Sequence, residues 1–490
     1  MNTINILDKL NSYKGSERIA ITDGISSLTY EELWSKSEIL AKYIATVIES
    51  KKEPVLVYGH KNPMMIVSFV ACMKAGIAYV PIDIGLPDQR IQQIVNDVNP
   101  SVIILTEENS IFDEYDSKVI LSNEFFESKV KTECNIALDY VDSEDTCYII
   151  FTSGSTGKAK GVEVSYGALN NFVKWAVNIG GVNKSEKIIL NQAPFSFDLS
   201  VMDLYISLYS QSTLWCIDKE TQMNYKKLFE SLEKSNVNIW VSTPSFAEMC
   251  MADKSFNHEL LSNLKQFIFC GEVLSNSTVE KLMVRFPNAV ITNTYGPTES
   301  TVAVTEINIT REILDKFNPL PVGYVRQGSE IEIDDEEIDI IGDTVAKGYF
   351  RDKEKTESVF FSKKGKRRYK TGDRGYFIDN LLFCNGRIDW QIKLHGYRME
   401  IEDIENNIKK LPIIKQCAVV PIYADAKVKF LKAYCVVNTE YESKSKLKKE
   451  IKAALKELIP DYMIPAKWEF IDNMPMNVNG KIDRKGLQDR

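Results

Sequence analysis

The chain holds 490 residues, 44% of them hydrophobic and 26% charged, with a net charge of −8; at roughly 100–200 residues per domain this is an ordinary globular chain of two to four domains. Its acidic balance argues against a nucleic-acid-binding protein, which needs a basic field. The longest uncharged apolar run, Pro63 to Met73, stops at Lys74, short of the ~20 residues of a membrane span. Charges at Asp8, Lys9, Lys14, Glu17 and Arg18 leave no apolar core for a signal peptide, so a cytoplasmic chain without a membrane span is expected.

The predicted elements begin with Thr29-Tyr30-Glu31-Glu32, a capping box opening a helix whose Leu33, Leu40, Ile44 and Val47 share one face. Pro54 to Tyr58 reads as a strand, the stretch through Val67 and Cys72 as a helix, and Ala78-Tyr79-Val80 as a strand. Asp88 to Val98 reads as a helix and Val102 to Leu105 as a strand. This alternation predicts parallel strands covered by helices. It resumes at Cys147 to Phe151 and continues to about Thr305. From Ile331 to Phe383 short strands dominate (Ile338 to Ile341, Gly348 to Phe350, Leu381 to Cys384), which predicts a small β-rich subdomain. After Arg387 come a helix from Ile401 to Leu411, strands at Ala418 to Pro421 and Phe430 to Val437, and an amphipathic helix from Lys444 to Ile459.

The predicted fold is therefore α/β. A large N-terminal domain (1–387) has mixed and parallel sheets with covering helices, its β-rich subdomain occupying about 320–387. A hinge follows at 388–390, then a small mobile α+β C-terminal domain (391–490). Nine cysteines without a CxxC pair predict reduced, mostly buried thiols. Three histidines (His60, His258, His395) come close to excluding a histidine-based triad or a multi-histidine metal centre.

The strongest local signal is Thr152-Ser153-Gly154-Ser155-Thr156-Gly157-Lys158-Ala159-Lys160-Gly161, directly after an apolar strand. Glycines let backbone amides close around an anion while hydroxyls and lysines donate to phosphate oxygens. A Walker P-loop needs Ser or Thr after its lysine, and here Ala159 follows Lys158; a phosphotransferase of that type is disfavoured.

This segment resembles the phosphate loop of the adenylate-forming enzymes, and further motifs follow in that family's order. Asn293-Thr294-Tyr295-Gly296-Pro297-Thr298-Glu299 is similar to its adenine and magnesium motif. Tyr369-Lys370-Thr371-Gly372-Asp373 is similar to its ribose motif. Asn385-Gly386-Arg387-Ile388-Asp389 and Lys393 to Arg398 resemble its hinge region. Asn479-Gly480-Lys481-Ile482-Asp483-Arg484 resembles its terminal lysine motif. Within the family, Asn191-Gln192-Ala193-Pro194-Phe195-Ser196-Phe197-Asp198-Leu199-Ser200-Val201-Met202-Asp203, Phe269 to Leu274 and Thr298 to Thr305 are similar to the branch of D-alanine–D-alanyl carrier protein ligases.

The resemblance implies ATP and Mg2+ as cofactors, with D-alanine and a separate phosphopantetheinylated carrier protein as partners, toward D-alanylation of teichoic acids. It assigns the nucleotide to Thr152, Ser153, Gly154, Ser155, Thr156, Gly157, Lys160, Asn293, Thr294, Tyr295, Gly296, Pro297, Thr298, Asp373, Cys384, Asn385, Gly386, Arg387 and Lys481. Glu299 is implied to hold the metal and Asp389 to be the pivot. Lys481 is implied to be catalytic, bridging the substrate carboxylate and the α-phosphate. Asp198 is implied to pair with the substrate ammonium, and Cys270 and Val302 to line a shallow side-chain pocket. Read without the family, Asp198 could equally cap the helix predicted from Leu199 to Leu208.

Only ten residues follow Gly480 in this sequence, so the carrier is expected to be a separate protein. Two departures stand out: Ala159 replaces the family's usual proline, and the acidic run from Asp334 to Gly342 predicts a shortened turn away from the nucleotide with little effect on chemistry. Two other activities fit related motifs: a freestanding adenylation enzyme for another small amino acid in a peptide natural-product pathway, and an acyl-CoA ligase, which Asp198 disfavours. A non-enzymatic adenylate-binding scaffold would require a broken motif.

Overall fold

The computed structural model describes residues 4–48, 50–128, 136–154, 158–179, 187–424, 427–438, 443–476 and 482–488. They divide into two compact units. The first comprises Met1–Ile84, Val98–Ile150 and Gly161–Gly386; the second comprises Gly85–Asp97, Phe151–Lys160 and Arg387–Arg490.

Two large sheets carry the first unit. The nine-stranded one runs, edge to edge, Tyr324–Val325, Thr305–Asn308, Val290–Tyr295, Gln266–Phe269, Ile239–Ser242, Ile188–Asn191, Thr213–Cys216, Ile19–Thr22 and Ser27–Thr29. Its central pairs are parallel. The seven-stranded sheet runs Gly348–Tyr349, Lys160–Ser165, Thr146–Thr152, Tyr79–Ile82, Val55–Tyr58, Val102–Leu105 and Lys118–Leu121. Central strands such as Val55–Tyr58 and Ile239–Ser242 are buried at every position, as parallel strands covered on both faces must be. The helix Pro63–Lys74 is buried all round, so it reads as continuously apolar rather than amphipathic. By contrast Tyr30–Val47 starts from the predicted capping box of Thr29 and Glu32 and buries Leu33, Leu40 and Ile44 on one face.

A five-stranded sheet forms the β-rich part: Ser329–Asp334, Glu337–Gly342, Lys366–Ile378, Phe360–Lys363 and Leu381–Arg387. Gly348–Tyr349, expected in this subdomain, pairs instead with Lys160–Ser165; a two-residue strand carries no local mark of its distant partner. The acidic run is a hairpin in which Asp334 faces Glu337 and the turn residues Asp335 and Glu336 have φ of +48° and +68°, the left-handed pair that matches hairpin twist. Its charge is matched by the basic neighbouring strand, where Arg368 meets Asp339 and Lys366 meets Glu330.

In the second unit, Ile414–Ala424, Lys427–Val437 and Lys467–Phe470 form a three-stranded sheet, beside the two-stranded pair Gln391–Leu394 and Tyr397–Glu400. Helices Ile401–Lys409 and Lys444–Lys456 bury Ile401, Ile404 and Ile408 and Leu447, Ile451 and Leu455. All eight described cysteines are unbridged, and all but Cys384 are buried. No helix among the described residues is long and apolar enough to cross a membrane.

Candidate active site

In the first unit the predicted residues gather about the segment Tyr295 to Val304, which follows the strand Val290–Tyr295 at its C-terminal end, where open α/β sheets bind ligands. Gly296 is required by close approach: a Cβ there would lie 2.6 Å from Ala303 Cα and 2.8 Å from the Val302 carbonyl oxygen. The chain then turns through Thr301 and Val302, both β-branched and both left-handed at φ +60° and +70°. Such residues cost about 1–3 kcal/mol each unless their surroundings hold them. Here Thr301 Oγ1 donates to the Thr344 carbonyl at 2.7 Å, and Cys270 Sγ donates to the Val302 carbonyl at 3.6 Å. Cys270 and Val302, predicted to share a pocket wall, are thus in direct contact.

Asp198 occupies the N-cap position of the helix Leu199–Ser210, yet its side chain makes no capping hydrogen bond. Instead its Oδ2 accepts from Thr298 Oγ1 at 2.6 Å. The capping role is therefore excluded, and the half-buried carboxylate is turned toward the Tyr295–Val304 segment. Tyr148, whose hydroxyl is buried without a hydrogen-bond partner among the described residues, feels this charge: burial first, then Asp198, raises its phenol.

Tyr295 and Asp373 are joined directly, the buried phenol donating to Asp373 Oδ2 at 2.6 Å. Burial, reinforced by the Asp373 charge, keeps that phenol protonated. The Asp373 turn is itself held: Asp373 N–H donates to Thr371 Oγ1 at 2.9 Å and Gly372 N–H to Glu337 Oε1 at 2.9 Å. The acidic hairpin expected to have little bearing on the chemistry therefore anchors the predicted ribose motif. Asn293 and Thr294 point elsewhere. Asn293 Nδ2 donates to the Pro321 carbonyl at 2.9 Å and Thr294 Oγ1 to the Phe269 carbonyl at 2.8 Å, so both side chains brace the strand.

Glu299 is fully buried, and its Oε1 accepts from the Tyr349 hydroxyl at 2.8 Å. Among the described residues no group of three or more His, Cys, Asp or Glu gathers as a metal cage. A single carboxylate fits Mg2+, a hard cation that keeps waters and takes its remaining oxygens from substrate phosphates.

In the second unit Ser153 Oγ donates to the Arg398 carbonyl at 3.0 Å and accepts from Glu400 N–H at 3.2 Å. Thr152 Oγ1 reaches the Lys160 carbonyl at 3.5 Å, and Lys160 is buried. Arg387 grips Asp389 through two parallel bonds, Nε to Oδ1 at 2.6 Å and Nη2 to Oδ2 at 2.7 Å. Burial would raise the Asp389 carboxyl, but this fork holds it below its usual value. Asn385 and Gly386 are exposed and Cys384 half-buried. Ser155, Thr156, Gly157 and Lys481 lie outside the described residues.

Residues 9–350 match the family model of the AMP-binding enzyme, and residues 403–481 that of the AMP-binding enzyme C-terminal domain. The chain belongs to the AMP-binding enzyme family. Curated proteins called D-alanine–D-alanyl carrier protein ligase from Listeria monocytogenes serovar 1/2a (strain ATCC BAA-679 / EGD-e) and Bacillus cereus (strain Q1) are each 44% identical to it. They match over 94% of this chain and over 93% and 94% of their own. The chain falls in that branch of the AMP-binding enzymes. Its fold is similar to that of the amide bond synthetase McbA from Marinactinospora thermotolerans, with a TM-score of 0.86, 19% identity and 99% of each chain covered.

Against the family's motifs, three contributions were not legible in the sequence. Thr298, assigned to the nucleotide, holds the Asp198 carboxylate. Tyr349, in a strand remote from Glu299 in sequence, orients it. His60 is structural: Nε2 accepts from Lys219 N–H at 3.0 Å, which leaves Nδ1 to donate to Asp83 Oδ2 at 2.6 Å. Both ring nitrogens are occupied, so this histidine is no free base. His258 and His395 are exposed.

Proposed function

We propose that this enzyme activates D-alanine with ATP as D-alanyl-AMP and then transfers the D-alanyl group to the phosphopantetheine thiol of a separate carrier protein. In the first half-reaction a carboxylate oxygen of D-alanine attacks the α-phosphorus and pyrophosphate leaves. The nucleophile is already anionic at neutral pH, so the step needs no base. In the second half-reaction the thiol sulfur attacks the acyl carbonyl, AMP departs and the thiol proton is lost to solvent.

The observation that carries the amino-acid reading is the Asp198 carboxylate, turned away from its helix and held by Thr298. A carboxylate fixed in this way pairs with the substrate ammonium. Without that cation it is left uncompensated, at a cost of several kcal/mol, so des-amino acids are rejected. Cys270 and Val302, joined by a hydrogen bond, are assigned to the wall of a shallow side-chain pocket for a methyl group. Identity with relatives called D-alanine–D-alanyl carrier protein ligase supports alanine in the D form and a carrier as acceptor.

Tyr295 and Asp373 take the adenosine, as ring platform and ribose acceptor. Glu299 holds Mg2+, which when bound neutralises charge on the phosphates. Thr152 to Gly157, Lys160 and Arg387 serve the phosphates, and Lys481 steadies the phosphorus as it gathers negative charge, the work of a compact cation. Asp389 is the pivot between the half-reactions, released from Arg387 as the chain turns. The enzyme acts in the cytoplasm, on the D-alanylation route to teichoic acids.

The test is amino-acid-dependent ATP–pyrophosphate exchange with D-alanine, L-alanine, glycine, serine and propionate. D-alanine is expected to lead, with propionate inert; a preference for another amino acid would overturn the substrate assignment, and ADP as the nucleotide product would overturn the chemistry.

A further inference from the structure

Beneath the segment that leads to Asp198 lies a buried charge network that the proposed chemistry does not use. Lys61 sits in the turn between the strand Val55–Tyr58 and the helix Pro63–Lys74 and is 4% exposed. Its ammonium donates to Asn191 Oδ1 and to the Ala193 carbonyl, and stands 4.7 Å from the centroid of the Phe195 ring. Asn191 in turn donates its amide to Asp203 Oδ1 at 2.9 Å, and to the Ala193 carbonyl at 3.3 Å. Asn191 and Asp203 are fully buried, and Asp203 Oδ2 has no hydrogen-bond partner among the described residues.

A cation and an anion are thus linked through one amide, in a place where apolar residues of the same volume would serve stability as well or better. Burial draws the Lys61 ammonium down and pushes the Asp203 carboxyl up, and each partner opposes the other's shift. What the network secures is geometry. Three contacts of Lys61 fall on Asn191, Ala193 and Phe195, the residues that lead directly into Asp198, and Asp203 lies on the helix that Asp198 begins. The bonds from Lys61 to Asn191 and Ala193 and from Asn191 to Asp203 restrict this segment to one arrangement where apolar packing tolerates several.

We propose that Lys61, acting through Asn191 and Asp203, is a positioning residue that sets the Asn191–Phe195 segment and thereby aims the Asp198 carboxylate at the substrate's ammonium. It sets selectivity for the amino group without touching substrate. The inference rests on the reading of Asp198 given above, and its test separates the two.

The full-length Lys61→Met/Asp203→Asn double variant removes both charges, so no buried ion is left unpaired. Its melting temperature and its pyrophosphate exchange with D-alanine and with propionate are compared with those of the parent and of Asp198→Ala. The double variant is expected to stay folded while the ratio of kcat/KM for D-alanine over propionate falls about tenfold or more. The fall appears in the KM for D-alanine, with the KM for ATP unchanged. A folded double variant with the parental ratio overturns the inference, as does a rise of both KM values together. If Asp198→Ala loses the ratio while the double variant keeps it, only this inference fails; if Asp198→Ala keeps it, the reading of Asp198 fails as well. Should the double variant not fold, Asp203→Asn alone carries the test, with a lowered ratio expected and a parental ratio overturning the role.

Discussion

Replacing Tyr349 by phenylalanine removes one hydroxyl from the neighbourhood of Glu299 and little else. The ring keeps its edge contact with Phe360, 5.4 Å between centroids, and both Tyr349 and Glu299 are buried. The lost bond, 2.8 Å to a carboxylate oxygen, belongs to the charge-assisted class worth about 1.5–3 kcal/mol. Its loss has two consequences. The apoenzyme loses about 1.5–3 kcal/mol of stability, because a buried carboxylate gives up a donor. The free Mg2+ concentration at half-maximal activity rises about 10–100-fold, the usual effect of removing a group that orients a metal ligand. Saturating Mg2+ is expected to restore most of kcat, since the role given to the phenol is to orient Glu299. Pyrophosphate exchange titrated with free Mg2+, beside thermal melts with and without Mg·ATP, reads both effects. A folded Tyr349→Phe enzyme with a parental Mg2+ titration would refute the claim that Tyr349 orients the carboxylate holding the metal.

Other outcomes follow from other contacts. Lys74 is fully buried, donates to the Trp34 carbonyl at 2.8 Å and lies 3.3 Å from the Trp34 ring centroid; burial lowers its ammonium from an ordinary 10.5 to about 7. Between those values the unfolded chain binds the proton and the folded chain does not, so stability rises with pH across pH 7 to 10.5. At 1.36 kcal/mol per decade the gain is at most about 5 kcal/mol. Lys74→Met should narrow the difference in melting temperature between pH 7 and pH 9.5, and an unchanged difference would contradict the burial argument. Gly296→Ala drives a methyl group into the Val302–Ala303 backbone, so a loss of about 1–3 kcal/mol in stability and a raised KM for D-alanine are expected from melts and exchange kinetics.

Much of the scaffold was readable because local signals and tertiary structure agree. The capping box at Thr29 and Glu32 starts the helix it predicts, and the elements at Asp88–Val98 and Val102–Leu105 fall where periodicity put them. Gly348–Tyr349 was misassigned because strand partnership is a long-range property, and the strand Ile19–Thr22 and the edge strand Ser27–Thr29 beside it went unread for the same reason. At the site, the motif residues announce themselves by their order along the chain, whereas their supports do not. Lys61, Thr298 in its bond to Asp198, Tyr349 and Glu337 act through contacts with residues far away in sequence, and nothing in their flanking residues marks them. Asp198 shows the limit most clearly. An aspartate before a helix looks the same whether it caps that helix or faces a ligand, and only the direction of its carboxylate separates the two.

The measurement closest to the central claim is pyrophosphate exchange by Asp198→Ala with D-alanine and propionate side by side. The account predicts that discrimination collapses because exchange with D-alanine falls while exchange with propionate does not. An Asp198→Ala enzyme that still prefers D-alanine by the parental ratio would show that the amine is read elsewhere, and would contradict the account at its base.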